Sequence, residues 1–92
     1  MIKTFKHKGL KALYETGSQK GVRPDHAKRL RFILARLDAS QSEEDMNLLG
    51  LRLHPLKGDK KEFWAVDVSG GCRVFFRFEG NHVFDVDYDN YH

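Results

Sequence analysis

His54 and Lys57 stand three residues apart in the run His54-Pro55-Leu56-Lys57-Gly58-Asp59. Arg73 follows within Cys72-Arg73-Val74-Phe75-Phe76, and Tyr91-His92 come last. An imidazole ordinarily titrates near neutrality, so it can take or give a proton at physiological pH. A phenol can donate a hydrogen bond or a proton. Lysine and arginine hold phosphates, arginine through two parallel N–H bonds. These residue types suit the breakage of an RNA strand without a metal. A 2′-hydroxyl attacks the adjacent phosphorus, a base takes its proton, an acid protonates the departing 5′ oxygen, and cations balance the charge on the phosphate. His54, Tyr91 and His92 are the candidate acid–base groups; Lys57 and Arg73 are the candidate phosphate contacts. The bland alternatives are a solvated strand histidine at 54 and a frayed tail at 91–92.

Other chemistries find less support. The five histidines are His7, His26, His54, His82 and His92, and none pairs with another at a spacing of three or four. There is no Cys-x-x-Cys, so neither a metal nor another cofactor is expected. Gly70-Gly71 fits a turn and not a phosphate loop. Cys72 is the single cysteine, which rules out an internal disulfide and points to a reducing, cytoplasmic location. It reads best as a small residue on a buried strand face. No apolar run approaches a membrane span, and Met1 to Lys8 lacks the apolar stretch of a signal peptide.

The elements that must position these residues follow from periodicity. The 92 residues suffice for one domain with one modest core, 1–92. Ile2 to Lys6 alternates like a short strand. Leu10, Leu13 and Tyr14 have helical spacing, and Gly17 stops that helix. Pro24 suits the first position of a second helix, whose apolar stripe is Ala27, Leu30, Leu34 and Leu37. Ser42-Glu43-Glu44-Asp45 resembles the start of a third, short helix ended by Gly50. From Leu51 the period becomes two. Runs 51–56, 62–68, 72–79 and 82–89 are separated by Gly58-Asp59, Ser69-Gly70-Gly71 and Gly80-Asn81, which are hairpin turn residues. The expected fold class is α+β: an antiparallel four-stranded meander, joined by the first strand, with two to three helices packed on one face.

Strand parity assigns Leu51, Leu53, Trp64, Val66, Val68, Val74, Phe76, Phe78, Phe84, Val86 and Tyr88 to the core face. The opposite face receives Arg52, His54, Asp67, Arg73, Arg77, Asp85, Asp87, Asp89 and Tyr91, with Lys57 at the adjoining turn. Charge is also divided. Residues 1–37 hold ten Lys/Arg and two acids, a net +8, whereas residues 38–92 are net −5. Lys28, Arg29 and Arg31 lie off the apolar stripe of the second helix and face water or a partner. A nucleic acid, an acidic protein and plain solvent all fit such a face.

The stretch His54-Pro55-Leu56-Lys57-Gly58-Asp59, Trp64, Arg73 within its strand, Asp87-Tyr88 and Tyr91-His92 together resemble the HigB-type toxins of the RelE/ParE superfamily. The opening Met1-Ile2-Lys3-Thr4-Phe5 followed by Lys8-Gly9-Leu10 is similar too, so the resemblance covers nearly the whole chain. It implies a RelE-like fold and a ribosome-dependent mRNA endonuclease that cuts codons in the ribosomal A site. It implies a helix-turn-helix antitoxin of the HigA kind as partner. It makes His54, Tyr91 and His92 catalytic, Lys57 and Arg73 contacts to phosphate and mRNA, and Lys28, Arg29 and Arg31 contacts to ribosomal RNA. Two positions depart from the family pattern: Asn90 stands where relatives often have Asp, and Cys72 where they commonly have Trp. Two other readings remain open on the same fold. One is a ParE-like gyrase inhibitor, which needs no His/Tyr/His set; the other is a binding module for an acidic partner.

Overall fold

The computed structural model of the protein describes residues 1–90; Tyr91 and His92 lie outside them. Helix α1 (Lys8–Thr16) begins where His7 Nδ1 accepts the Leu10 N–H at 3.1 Å. It ends where Gly17, at φ +79°, turns left-handed and donates its N–H to Leu13 O at 3.0 Å; glycine alone enters that region without steric cost. A 3₁₀ turn at Pro24–His26 leads into α2 (Ala27–Ala39). All four stripe residues, with Ile33, are buried. The third helix is shorter than expected. Glu43–Met46 makes one 3₁₀ turn, and the Ser42 side chain caps nothing; what anchors the segment is Met46, fully buried.

The meander is present. Strands β1 (His54–Pro55), β2 (Trp64–Ser69), β3 (Cys72–Glu79) and β4 (His82–Asn90) form one antiparallel sheet in the order β1-β2-β3-β4. Tight turns at Gly70 (φ +54°) and Gly80 (φ +61°) join β2 to β3 and β3 to β4. The residues facing the helices, among them Val66, Val74, Phe76, Val83 and Val86, merge with Leu10, Leu30, Ile33, Leu34 and Leu37 into one core cluster. Cys72 is buried, as its small size suggests.

Three expectations need correction. The N-terminal segment makes only two isolated parallel bridges with β4, Ile2 to Val83 and Phe5 to Val86. It covers the free edge of β4 through bonds such as Lys3 N–H to Val83 O at 2.7 Å. The run 51–56 yields a strand of two residues, because Gly50 (φ +89°) and Arg52 (φ +54°) bend the backbone just before it. And Phe84 is not on the core face. Phe75 pairs with Asp87 but Arg77 with Phe84, so β4 has one extra residue between these rungs. Asp85, at φ +56°, makes that bulge, and Thr4 Oγ1 accepts its N–H at 2.8 Å. The bulge shifts parity, so Val83 goes inward and Phe84 outward under the Arg77 guanidinium, 5.2 Å from the ring centre.

Asp38, at the end of α2, ties three elements together. Its Oδ1 accepts the Ile2 N–H at 3.0 Å and the Tyr14 hydroxyl at 2.7 Å. These two bonds hold its carboxyl below the usual range, and in return the Tyr14 phenol is pushed up to about 12. A carboxyl depressed on folding adds stability above its unfolded value, near pH 4, and that stability is lost as pH falls through the folded value. Asp38→Ala is therefore expected to cost about 1–3 kcal/mol at neutral pH, since it strands two donors. In urea melts the gap between the two proteins should narrow below about pH 4. A gap that does not change with pH would show that the carboxylate's charge is not what stabilises the junction.

Candidate active site and its groove

Sheet register places the sequence candidates on the face away from the helices. One row across the sheet runs His54, Ala65, Phe75, Asp87, and the next runs Asp67, Arg73, Asp89. Directly paired residues share a face, so His54 and Arg73 occupy neighbouring rows of the same surface. Beside them opens a groove of about 530 Å³, whose lining includes Lys6, Lys57 and Lys60, Phe63 and Phe75, and Asp87 and Asp89. Lys57 thus joins His54 and Arg73 in one region, brought there by the 3₁₀ turn Gly58–Lys60.

The local contacts orient these groups. Arg73 Nε lies 3.3 Å from Asp67 Oδ1, and the Arg52 guanidinium lies 3.6 Å from Asp67 Oδ2. Asp67 therefore gathers two guanidinium groups. The His54 ring sits with Nδ1 2.6 Å from Arg52 O. Phe63 is buried at the base of the groove, with Lys6 Nζ 5.3 Å and Lys60 Nζ 5.7 Å from its ring centre. Ammonium groups over an aromatic face are drawn to the ring's negative potential. The result is a border of three lysines and two aspartates around a partly apolar floor; the lysines suit phosphates and the rings suit the flat faces of bases.

The helix candidates lie elsewhere. Lys28 and Arg31 are exposed on α2, on the far side of the sheet from the groove. Arg29 is engaged in the fold itself: its Nη2 donates to Gly50 O at 2.7 Å and to Asp67 O at 3.2 Å. It fastens from behind the same Asp67 that pairs with Arg73. Tyr91 and His92 lie outside the described residues.

Sequence reasoning missed Lys6, Lys60, Phe63 and Phe75. Phe75 carried a signal, since it shares parity with Arg73 and Arg77. Lys6 and Lys60 gave none, because tertiary packing alone brings the N-terminal segment and the turn after β1 to one place.

An antiparallel meander backed by two helices is the architecture expected of a RelE-like fold. The profile of the family described as "RelE-like toxin of type II toxin-antitoxin system HigB" matches residues 3–92. A relative from Proteus vulgaris, "Endoribonuclease HigB", is 37% identical over 92 residues, which span 100% of both chains. The chain belongs to the HigB-like toxin family. Such a toxin is one half of a toxin–antitoxin module, so an antitoxin is its partner. Among the described residues no helix is long and apolar enough to cross a membrane.

Proposed function

We propose that this protein is a cytoplasmic endoribonuclease that cuts mRNA in the ribosomal A site and thereby stops translation, and that an antitoxin of the HigA kind neutralises it. The observation that supports this reading best is the convergence of Lys57, Lys6 and Lys60 on one groove beside the rows that hold His54 and Arg73. An RNA strand in that groove meets cations along its backbone and aromatic rings below its bases. Lys57 and Arg73 hold the scissile phosphate. The 2′-hydroxyl gives up its proton as its oxygen bonds to phosphorus; the bond from phosphorus to the 5′ oxygen breaks, and that oxygen is protonated. His54, Tyr91 and His92 supply the acceptor and the donor. Lys28 and Arg31, on the opposite side, meet ribosomal RNA while the groove holds the message.

The products decide between this route and others. Internal attack must leave a 2′,3′-cyclic phosphate, or a 3′-phosphate after its hydrolysis, and a 5′-hydroxyl. Cleavage of mRNA on programmed ribosomes should yield those ends, and the same mRNA without ribosomes should survive. A 5′-phosphate product would exclude 2′-hydroxyl attack, and equal cleavage of free mRNA would exclude ribosome dependence.

A further inference from the structure

We propose that Asp87 makes the groove a base-selective subsite, which takes a nucleobase that donates from an amino group (guanine, adenine or cytosine) and turns uracil away. This rests on the endonuclease reading above and deepens it, by naming the nucleotides accepted beside the scissile phosphate.

A groove that holds RNA has no need of carboxylates for the phosphates, because like charges repel. Two aspartates nevertheless line it. Asp89 is accounted for by the sheet, where it stands opposite Arg73. Asp87 has no such partner. Among the described residues no salt bridge joins it to Lys6, Lys57 or Lys60. Its Oδ1 accepts the N–H of Tyr88, the next residue, at 2.9 Å, and among the described residues its Oδ2 has no partner. The carboxylate therefore keeps acceptor capacity for a ligand.

Its position suits a base. Val86 and Tyr88 on either side of it belong to the core, so the Asp87 side chain is on the open face. Across the sheet it stands directly opposite Phe75. On its other flank the N-terminal segment runs along β4, and the Lys6 N–H reaches Val86 O at 2.8 Å. Asp87 thus lies between an aromatic residue and the segment that carries a groove lysine. A cleft with an apolar floor and a few polar groups is the usual form of a site for a small flat ligand. A base resting on that floor turns its edge to the wall while its phosphate meets the lysines.

The carboxylate decides which edge fits, because it accepts and cannot donate. Guanine offers N1–H and its N2 amino group side by side, a fork that matches two carboxylate oxygens as a guanidinium does. Adenine offers its N6 amino group and cytosine its N4 amino group. Uracil offers one N3–H between two carbonyl oxygens, and those oxygens repel a carboxylate. Unpaired RNA bases are commonly told apart by their edges in this way. A mismatch is penalised more than a match is rewarded, since the acceptor has given up water and gained no donor.

The test is single-turnover cleavage on programmed ribosomes, with each position of the A-site codon varied through all four bases, for wild type and Asp87→Asn. Asparagine keeps the shape, but its amide also donates and can meet a uracil carbonyl. At one codon position, wild type is expected to cleave amino-bearing bases at least about tenfold faster than uracil, the scale of one charge-assisted hydrogen bond. Adenine replaced there by unsubstituted purine, which lacks the amino group, should lose that advantage. Asp87→Asn should close most of the gap through faster cleavage of uracil codons, a gain that damage to the fold does not produce. Wild-type indifference to the base at every position, or to the loss of the amino group, overturns the proposal without any need for the variant to fold. A variant with an unchanged melting temperature that gains nothing on uracil codons overturns it too, because Asp87 then serves the fold or the phosphates and not the base. Failure of the endonuclease reading looks different: wild type would then cut no codon on the ribosome.

Discussion

Replacing His54 with alanine is expected to lower the rate of mRNA cleavage on programmed ribosomes by about 10²–10⁴-fold, the usual contribution of one acid–base group. The protein should remain folded. His54 is outside the core cluster, and the hydrogen bond its ring makes goes to a main-chain carbonyl at the protein surface. Removing a side chain of that kind shifts stability by about 1 kcal/mol or less. Ribosome binding should also persist, because the cations proposed to contact nucleic acid (Lys57, Lys28, Arg31) are untouched. Loss of rate with retained binding and melting temperature is the signature of a group that acts in the transition state and not in docking. The measurement is single-turnover cleavage beside a thermal melt. A folded His54→Ala protein that cuts at the wild-type rate would take His54 out of the mechanism, and a ParE-like inhibitor or a binding module would become the better reading.

Much of this molecule was legible in its sequence, and the parts that were not share a cause. The helices could be read because Leu30, Leu34 and Leu37 repeat at the helical period and Gly17 supplies a left-handed stop. The hairpins could be read because Gly70 and Gly80 sit where two-residue turns need them. Parity then failed at one place, Asp85. A single bulged residue turned Phe84 outward, and period-two reasoning has no means to see an insertion in register. The same blindness hid the bend at Arg52, a residue type that gives no hint of a positive φ. For the site, His54, Lys57 and Arg73 came from a contiguous stretch and a strand face, both visible locally. Lys6, Phe63 and Lys60 meet only through packing between the N-terminal segment and the turn after β1. Arg29 shows the limit from the other side. Helical periodicity placed it off the apolar stripe, and it does lie there, yet it bonds to two carbonyls of distant segments. A position off the stripe does not distinguish solvent, partner and fold.

Changing Tyr91 to Phe and His92 to Gln together is expected to slow cleavage at least about 10²-fold, with melting temperature almost unchanged. The stability half of this expectation follows from β4. Its core side chains are Val83, Val86 and Tyr88, all buried, and the Tyr88 hydroxyl lies 2.5 Å from the Nδ1 of buried His26. Register is pinned through Arg73–Asp89 and Cys72–Asn90, before the two changed positions are reached. The activity half follows from neighbourhood along the chain. Asp89 is the partner of Arg73 across the sheet and lines the groove, so a phenol at 91 and an imidazole at 92 belong to residues two and three places beyond it. If His54 is the base, the departing 5′ oxygen needs a separate donor. The phenol and the second imidazole are the groups the sequence offers for it. Phenylalanine keeps the ring and removes the hydroxyl; glutamine keeps polarity and removes the titration. The single variants then assign the role. The one that supplies the proton should lose most of the rate and shift the alkaline limb of the pH–rate profile, whereas a group that only orients substrate should lower the rate at every pH alike. Asn90→Asp, which supplies the residue the family resemblance leads one to expect there, should be tolerated. Wild-type cleavage by the double variant would refute the assignment of both residues and leave the donor to be sought among the lysines of the groove.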